Sequence, residues 1–378
     1  MKLIGLDAHY LARPEGNRTY VLNLLRGLTS LQAGELGVHS YGFDPAAAAA
    51  LVPPGGALVG HRALGPRPAW ARVALGAPAA VLRDRLALWH ASWVVPPWCP
   101  APCVVTVHDL LWLEQPELFG RLLRARLRAL VPRAVHAAAR VIVPSLTTAR
   151  SLKAAFPRLD PARLALVPLG IDLTRFQPEP QADDQRRLSG LVDERPYLLA
   201  VGRPDRRKGW ELLLAAAAAA RASGTAPRVV LAGPHARARA RLLRAARRVG
   251  LARDRLVLAV SPDEETLAAL YRGAAALCFP SRGEGVGLPA LEALACGTPA
   301  LLSDLPALRE AAGEAGVFLP PTDVAAWTAA IERALGDPEV RARARVEGPL
   351  RVGGRGLPGM AAATLEVYRA ALAESGGA

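Results

Sequence analysis

Apolar residues in this chain fall into short runs that end in turn residues, and the runs alternate with longer stretches of helical period. In the first half the runs are KLIGLD, GVHSYGF, CVVTVHD, RVIVPS and LALVPLG. Runs of this length bounded by turn signals read as strands, and their alternation with amphipathic or alanine-rich segments predicts a parallel sheet covered by helices.

The periodicity breaks at IDLTRFQPEPQADDQRR, where polar residues and prolines interrupt it, and then restarts with YLLAVG, RVVLAG, RLVLAV, AALCFPS, TPALLSD and AGVFLP. A restart of the same alternation predicts a second α/β domain. The chain of 378 residues is long enough for two cores. The expected division is residues 1–175, residues 176–355 and a terminal helical segment over residues 356–378. In doubly wound sheets ligands bind beyond the carboxyl ends of the strands, so the candidates are the residues that follow them. These are Asp7, His108, Ser145, Gly202, Gly233, Ser281 and Ser303.

Composition narrows the function classes. The net charge of +14 invites nucleic acid or an anionic membrane as partner, but the basic residues are dispersed and nearly all arginine. Only Lys2, Lys153 and Lys208 are lysines. Arginine richness is therefore weak evidence here, and a lysine at 208 draws attention. Cys99, Cys103, Cys278 and Cys296 show no Cys-x-x-Cys spacing and no clustered histidines, which speaks against zinc and for reduced core thiols. The first apolar run is too short for a secretory signal, and the longest helix-like run, LLLAAAAAA, is far below the roughly 20 residues that span a bilayer. A cytoplasmic location is the expectation.

The chemistry concentrates in PSRGEGVGLPALEALACGTP, residues 280–299. Gly283, Gly285 and Gly287 allow backbone amides to approach a ligand, Pro289 suits the first helical position, and Gly297 suits the residue after the helix end. The helix N-terminus is then a natural anion site. Glu292 is expected in the first helical turn, where its carboxylate accepts from a vicinal diol such as ribose, while Glu284 faces another part of the same ligand. The spacing equally suits two solvated glutamates, with Glu292 complementing the helix dipole. A second segment, GRPDRRKG, sets Gly202 and Arg203 at a strand end and Lys208 before the next helix. Its cations either neutralise a diphosphate or form a solvated basic loop.

GRPDRRKG, PSRGEGVGLPALEALACGTPALLSD and PALREAAGEAGVFLPPTDVAAWTAAI resemble the donor-binding half of retaining glycosyltransferases of family 4. EGNRTYVLNLLRGL, TVHDLLWL and VPLGIDLTRF extend the likeness over nearly the whole chain. The resemblance implies the GT-B fold: two Rossmann-like domains facing across a cleft, with the final helix crossing back to the first. It implies metal-independent transfer of a hexosyl-type group, with retention, from a nucleotide diphosphate sugar to a saccharide or lipid-linked hydroxyl in envelope or exopolysaccharide synthesis. No cofactor beyond that donor is expected. Carried over by motif, Arg203 and Lys208 bind the diphosphate, Glu292 the ribose, Glu284 the donor sugar's hydroxyls, and the amides around Gly285, Gly287 and Leu288 the phosphates. His108 lies beside the reacting carbon, with Gly16 and Asn17 in the first loop and Gly202 beneath the donor. GNRTY departs from the commoner glycine-x-glycine loop, and Val286 and Gly283 stand where the family usually has larger residues, which enlarges the donor site.

Two other readings stand beside this one. A glycosidase would use Glu284 and Glu292 as its carboxylate pair, about 5 to 9.5 Å apart. A nucleic-acid-binding protein would use the basic surface, although no zinc, RNA-recognition or helix-turn-helix pattern is present. For the acceptor, Trp70, Trp89, Trp93 and Trp98 suit sugar faces, lipid or core packing equally. In the segment ELFGRLLRARLRALVPRAVHAAAR, Arg121, Arg124 and Arg128 line one side opposite Leu123, Leu127 and Leu130, a pattern open to peripheral contact with an anionic membrane.

Overall fold

The structure is a computed structural model that describes residues 1–12, 16–32, 34–66, 68–220, 227–234 and 236–375. The chain forms two compact units, one of Met1–Ile171 with Arg355–Ala378 and one of Asp172–Gly354.

The first unit holds a seven-stranded parallel sheet of β1 (Lys2–Asp7), β2 (Leu36–Gly42), β3 (Leu58–Ala63), β4 (Leu88–Ser92), β5 (Cys103–Thr106), β6 (Arg140–Val143) and β7 (Leu164–Leu166). Their spatial order is β3-β2-β1-β4-β5-β6-β7. Alternate residues feed two separate cores: Ile4, Leu88 and Val104 point into one, and Trp89, Val105 and Val141 into the other. A parallel sheet buried on both faces explains why the strands read as continuous apolar runs. The helix Leu357–Ser375 adds Met360, Ala361, Leu365 and Tyr368 to the first of these cores, against the helix Gly16–Thr29. Gly27 permits that contact, since a Cβ there would lie 2.4 Å from the Leu357 carbonyl oxygen.

The second unit holds β8 (Tyr197–Val201), β9 (Arg228–Ala232), β10 (Leu256–Ala259), β11 (Ala276–Phe279), β12 (Ala300–Ser303) and β13 (Gly316–Leu319), in the order β10-β9-β8-β11-β12-β13. In both sheets the first strand lies beside the second on one side and the fourth on the other, the Rossmann order, so the winding reverses beside β1 and beside β8.

Two strands escape the sequence pattern. β3 is a largely exposed edge strand, and β4, LWHAS, carries a histidine and a serine in a fully buried position. Its polarity is hidden by hydrogen bonds: His90 meets the Tyr368 hydroxyl at 2.7 Å and the Thr106 hydroxyl at 2.8 Å. Of the cysteines, Cys103, Cys278 and Cys296 are buried and all four are free, while Cys99, half-buried in a proline-rich loop, packs against the edge of the core. No described helix is long and apolar enough to cross a membrane.

Candidate functional site

In the second unit the carboxyl ends of β8 and β11, neighbours at the reversal of winding, carry the two glycine-rich segments. After β8 the chain passes through Gly202 and an exposed Arg203 into a single helical turn, Arg206–Lys208, capped by Asp205, whose carboxylate accepts from the Arg207 N–H at 2.9 Å. Gly209 follows with φ of 61°, and a Cβ there would stand 2.0 Å from the Pro280 carbonyl oxygen. Only glycine fits both constraints, and the close approach seats the turn on the end of β11. The Arg282 N–H donates to the Arg207 carbonyl at 2.7 Å and ties the two loops together.

That junction turns Lys208 inward. Its Nζ donates to Glu284 Oε1 at 2.7 Å and lies 4.6 Å from the centroid of the Phe279 ring, with both charged side chains about nine-tenths buried. Burial pushes the Glu284 carboxyl up, but the charges of Lys208 and Arg207 outweigh it and hold the group below the usual carboxylate range. Glu284 is thus an anion kept in a dry place by a cation.

The helix Leu288–Ala295 begins after Gly287, which has φ of 88°, and no side chain caps its N-terminus. Pro289 has no N–H and the Ala290 N–H donates to the Gly287 carbonyl at 2.9 Å, so the Gly287 and Leu288 amides are the ones this turn can offer to a ligand acceptor. Its far end is closed: the Gly297 N–H donates to the Leu294 carbonyl and the Thr298 N–H to that of Ala293, the Schellman pattern. The helix starts at Leu288, which corrects two expectations: Pro289 is its second residue, and Glu292 lies past the first turn. From there Glu292 points into a buried position, where Oε2 accepts from the Tyr271 hydroxyl at 2.8 Å. Burial pushes its pKa up to about 7, offset in part by the Tyr271 hydrogen bond. The two glutamates therefore differ in kind. Neither is the solvated surface residue that the spacing alone allowed.

In the first unit His108 follows β5 and lies between aromatic rings, Tyr20 at 4.7 Å edge-on and Trp93 at 5.8 Å. Its Nε2 is buried and makes no hydrogen bond among the described residues, and burial lowers its pKa to about 4. Tyr20 is itself held, its hydroxyl 3.0 Å from that of Thr106. Gly16 and Asn17 open the helix Gly16–Thr29, with Asn17 half-buried; residues 13–15 before them lie outside the described residues. A further buried cluster stands at the end of β1: the Asp7 carboxylate lies 2.7 Å from His9 Nδ1, and Arg72 Nη2 lies 3.1 Å from His9 Nε2. Sequence reading named Asp7 but not its partners, and it missed Arg207, Phe279 and Tyr271. None of these carries a motif of its own. Among the described residues no three histidines, cysteines or carboxylates gather as a metal site would require.

Residues 181–351 match the family of glycosyl transferases group 1, and residues 14–175 match Glycosyltransferase Family 4. A D-inositol 3-phosphate glycosyltransferase of Thermobispora bispora is 32% identical over 296 residues, which cover 75% of this chain and 68% of that protein. The chain belongs to glycosyltransferase family 4. Of the relatives of the same name from Kineococcus radiotolerans and Geodermatophilus obscurus, it spans little more than half the length, 53% and 57%. Among solved structures, sucrose-phosphate synthase from Thermosynechococcus elongatus superposes with a TM-score of 0.78 at 25% identity, covering 99% of this chain and all of that one. The fold of this family 4 chain is GT-B.

Proposed function

We propose that the chain moves a glycosyl group, with retention, from a nucleotide diphosphate sugar to a hydroxyl of a saccharide, cyclitol or lipid-linked acceptor in the synthesis of an envelope or extracellular glycan. The observation that carries the reading is the buried Lys208–Glu284 pair beside the uncapped N-terminus of the helix Leu288–Ala295. A buried cation and the amides of Gly287 and Leu288 follow the neighbouring strands β8 and β11, at the switch point of a doubly wound sheet where an anion would sit.

In this reading Arg203, Lys208 and the amides of Gly287 and Leu288 hold the diphosphate, with Gly202 and Gly285 giving it room. Glu292 receives the ribose hydroxyls and Glu284 those of the donor sugar. His108 Nε2, neutral because of its burial, meets a hydroxyl near the reacting carbon, and Gly16 and Asn17 approach the phosphates. The acceptor oxygen bonds to the anomeric carbon on the face from which the phosphate oxygen departs, and the acceptor's proton passes to that oxygen. Side-chain cations and the helix terminus stabilise the charge of the leaving group, in the place a divalent metal would take.

The relatives named D-inositol 3-phosphate glycosyltransferase and a neighbour of the same fold, Anabaena HepE in complex with UDP-glucose (TM-score 0.76, 16% identity, covering 98% of this chain and 99% of that one), suggest UDP sugars and cyclitol acceptors as first probes. A nucleotide-sugar donor places the reaction on the cytoplasmic side, and the basic helix Arg121–Ala137 offers peripheral contact with anionic lipid. The decisive experiment is a thermal-shift and calorimetric screen against UDP, GDP, ADP and their sugar conjugates, with Lys208→Ala and Glu292→Ala as controls. Selective binding lost in both variants is expected. Binding of no nucleotide would remove this reading of the donor.

A further inference from the structure

Trp93 occupies a backbone conformation that a bulky residue adopts only under strain. Its φ is 69°, and across it the Val94 N–H donates to the Ser92 carbonyl at 2.9 Å, closing a three-residue turn of the rare, strained sense. The Trp93 N–H in turn donates to the Thr106 carbonyl at 3.0 Å, which pins the turn to the end of β5. Glycine would make this turn without strain, yet the chain places its largest side chain there.

Trp93 packs against the core that holds Trp89 and Trp112, but only in part. Trp89 and Trp112 are fully buried, whereas Trp93 keeps part of its indole open to solvent. What the turn achieves is placement. It sets the indole directly after β4, beside the point where the winding of the first sheet reverses, and 5.8 Å from the His108 ring at an interplanar angle of 57°. His108 is backed by Tyr20 at 4.7 Å, and its Nε2 is a buried polar atom with no hydrogen-bond partner among the described residues. An apolar face and an unmet polar atom side by side are what a polyhydroxylated ring presents in complement, with C–H groups on one face and hydroxyls at its edge. Strained residues of this kind gather at ligand sites.

We propose that Trp93 and His108 form a subsite for a polyhydroxylated six-membered ring, a pyranose or a cyclitol, with the ring's C–H face against the indole and one hydroxyl on His108 Nε2. The proposal rests on the glycosyltransferase reading and adds to it a residue that determines ring binding. The ring belongs either to the donor sugar or to the acceptor.

The test is calorimetric titration of the full chain and of Trp93→Leu and Trp93→Phe with UDP, UDP-glucose, methyl α-glucopyranoside and myo-inositol. UDP affinity is expected to be the same in all three proteins, and Trp93→Leu to bind a ring-bearing probe about tenfold more weakly while Trp93→Phe retains most of the affinity. A loss confined to the gain of UDP-glucose over UDP assigns the ring to the donor, and a loss with the free glycoside or inositol assigns it to the acceptor. The proposal is overturned if a folded Trp93→Leu binds every ring probe as the wild type does, or if the wild type binds UDP and no ring adds to it. Should Trp93→Leu not fold, the tryptophan emission change on ring binding decides, since it must largely vanish in Trp93→Phe; its full retention also overturns the proposal. Ring binding that weakens in Trp93→Leu when no nucleotide binds at all would sink the donor reading and leave the subsite standing.

Discussion

Lys208 Nζ and Glu284 Oε1 are 2.7 Å apart, joined across 76 residues of sequence and shut from solvent on nearly every side. Removing one member of such a pair leaves the other charged and uncompensated, at a cost of about 3 to 5 kcal/mol, while removing both costs less. Lys208→Met and Glu284→Gln are therefore each expected to destabilise the second unit strongly, and the double variant to recover part of the loss. Denaturant unfolding of the four proteins checks this, and a coupling energy near zero would show that the pair is not formed. The pH dependence has a definite sign. Because Glu284 is held below the usual carboxylate range, its contribution is fully present above that range and disappears as pH falls through the depressed value.

The same lysine carries the catalytic prediction. Lys208→Ala is expected to lower kcat by a factor on the order of 100 to 1,000, about 2.7 to 4 kcal/mol, as for loss of one preorganised donor to a developing anion. Turnover at saturating donor is the measurement. A raised KM with unchanged kcat would reassign Lys208 to ground-state binding alone.

Gly209 tests whether the junction of the two loops, and not Lys208 alone, builds the site. Alanine there must adopt φ near 61° with its Cβ against the Pro280 carbonyl oxygen, 2.0 Å away without rearrangement. Gly209→Ala is expected to cost about 1 to 3 kcal/mol and to weaken nucleotide binding without removing any polar group. A variant with unchanged stability and unchanged affinity would mean that the loop yields at no cost.

The parts of this architecture visible in sequence are those where one residue type has one physical use. Buried parallel strands such as Tyr197–Val201 read plainly because nothing but apolar side chains fits them. β4 did not, because His90 and Ser92 are buried there and the partners of His90, Tyr368 and Thr106, come from distant parts of the chain. Lys208 stood out because arginine elsewhere takes nearly every basic position. Its pairing with Glu284, and the seat of Glu292 against Tyr271, depend on tertiary contacts that spacing does not encode. Trp93 could not be told from Trp70, Trp89 and Trp98, since what separates them is a backbone angle and a degree of burial.

Glu292 offers a pH signature opposite to that of Glu284. With its pKa pushed up to about 7 from the ordinary 4.5, the folded chain binds a proton more readily than the unfolded chain between those values. Stability from this group therefore falls as pH rises through that window. Glu292→Gln keeps an oxygen for the Tyr271 hydroxyl and removes the titration. The difference in Tm between the variant and the wild type is expected to move in the variant's favour from about pH 5 to about pH 8. A difference that stays flat with pH would mean that Glu292 titrates as an ordinary exposed carboxylate.

The helix Arg121–Ala137 contains five arginines and no acidic residue, and its apolar side is not wholly covered: Leu122 is 87% exposed and Leu123 50%. The simple division into a basic side and a buried leucine side therefore fails over its first turns, where Arg121 and Arg126 stand exposed around the open leucines. Basic side chains around exposed leucines match an anionic lipid surface, attracting headgroups by charge and placing apolar side chains at the acyl boundary. The chain is expected to sediment with phosphatidylglycerol vesicles at low ionic strength, to be released by about 0.5 M salt, and to ignore phosphatidylcholine vesicles. Leu122→Ser with Leu123→Ser should weaken the association without altering nucleotide binding, because neither side chain belongs to the Lys208 site, which is built from the second unit's residues. Failure to sediment at low salt would leave the helix as a solvated face and remove the membrane from the proposed function.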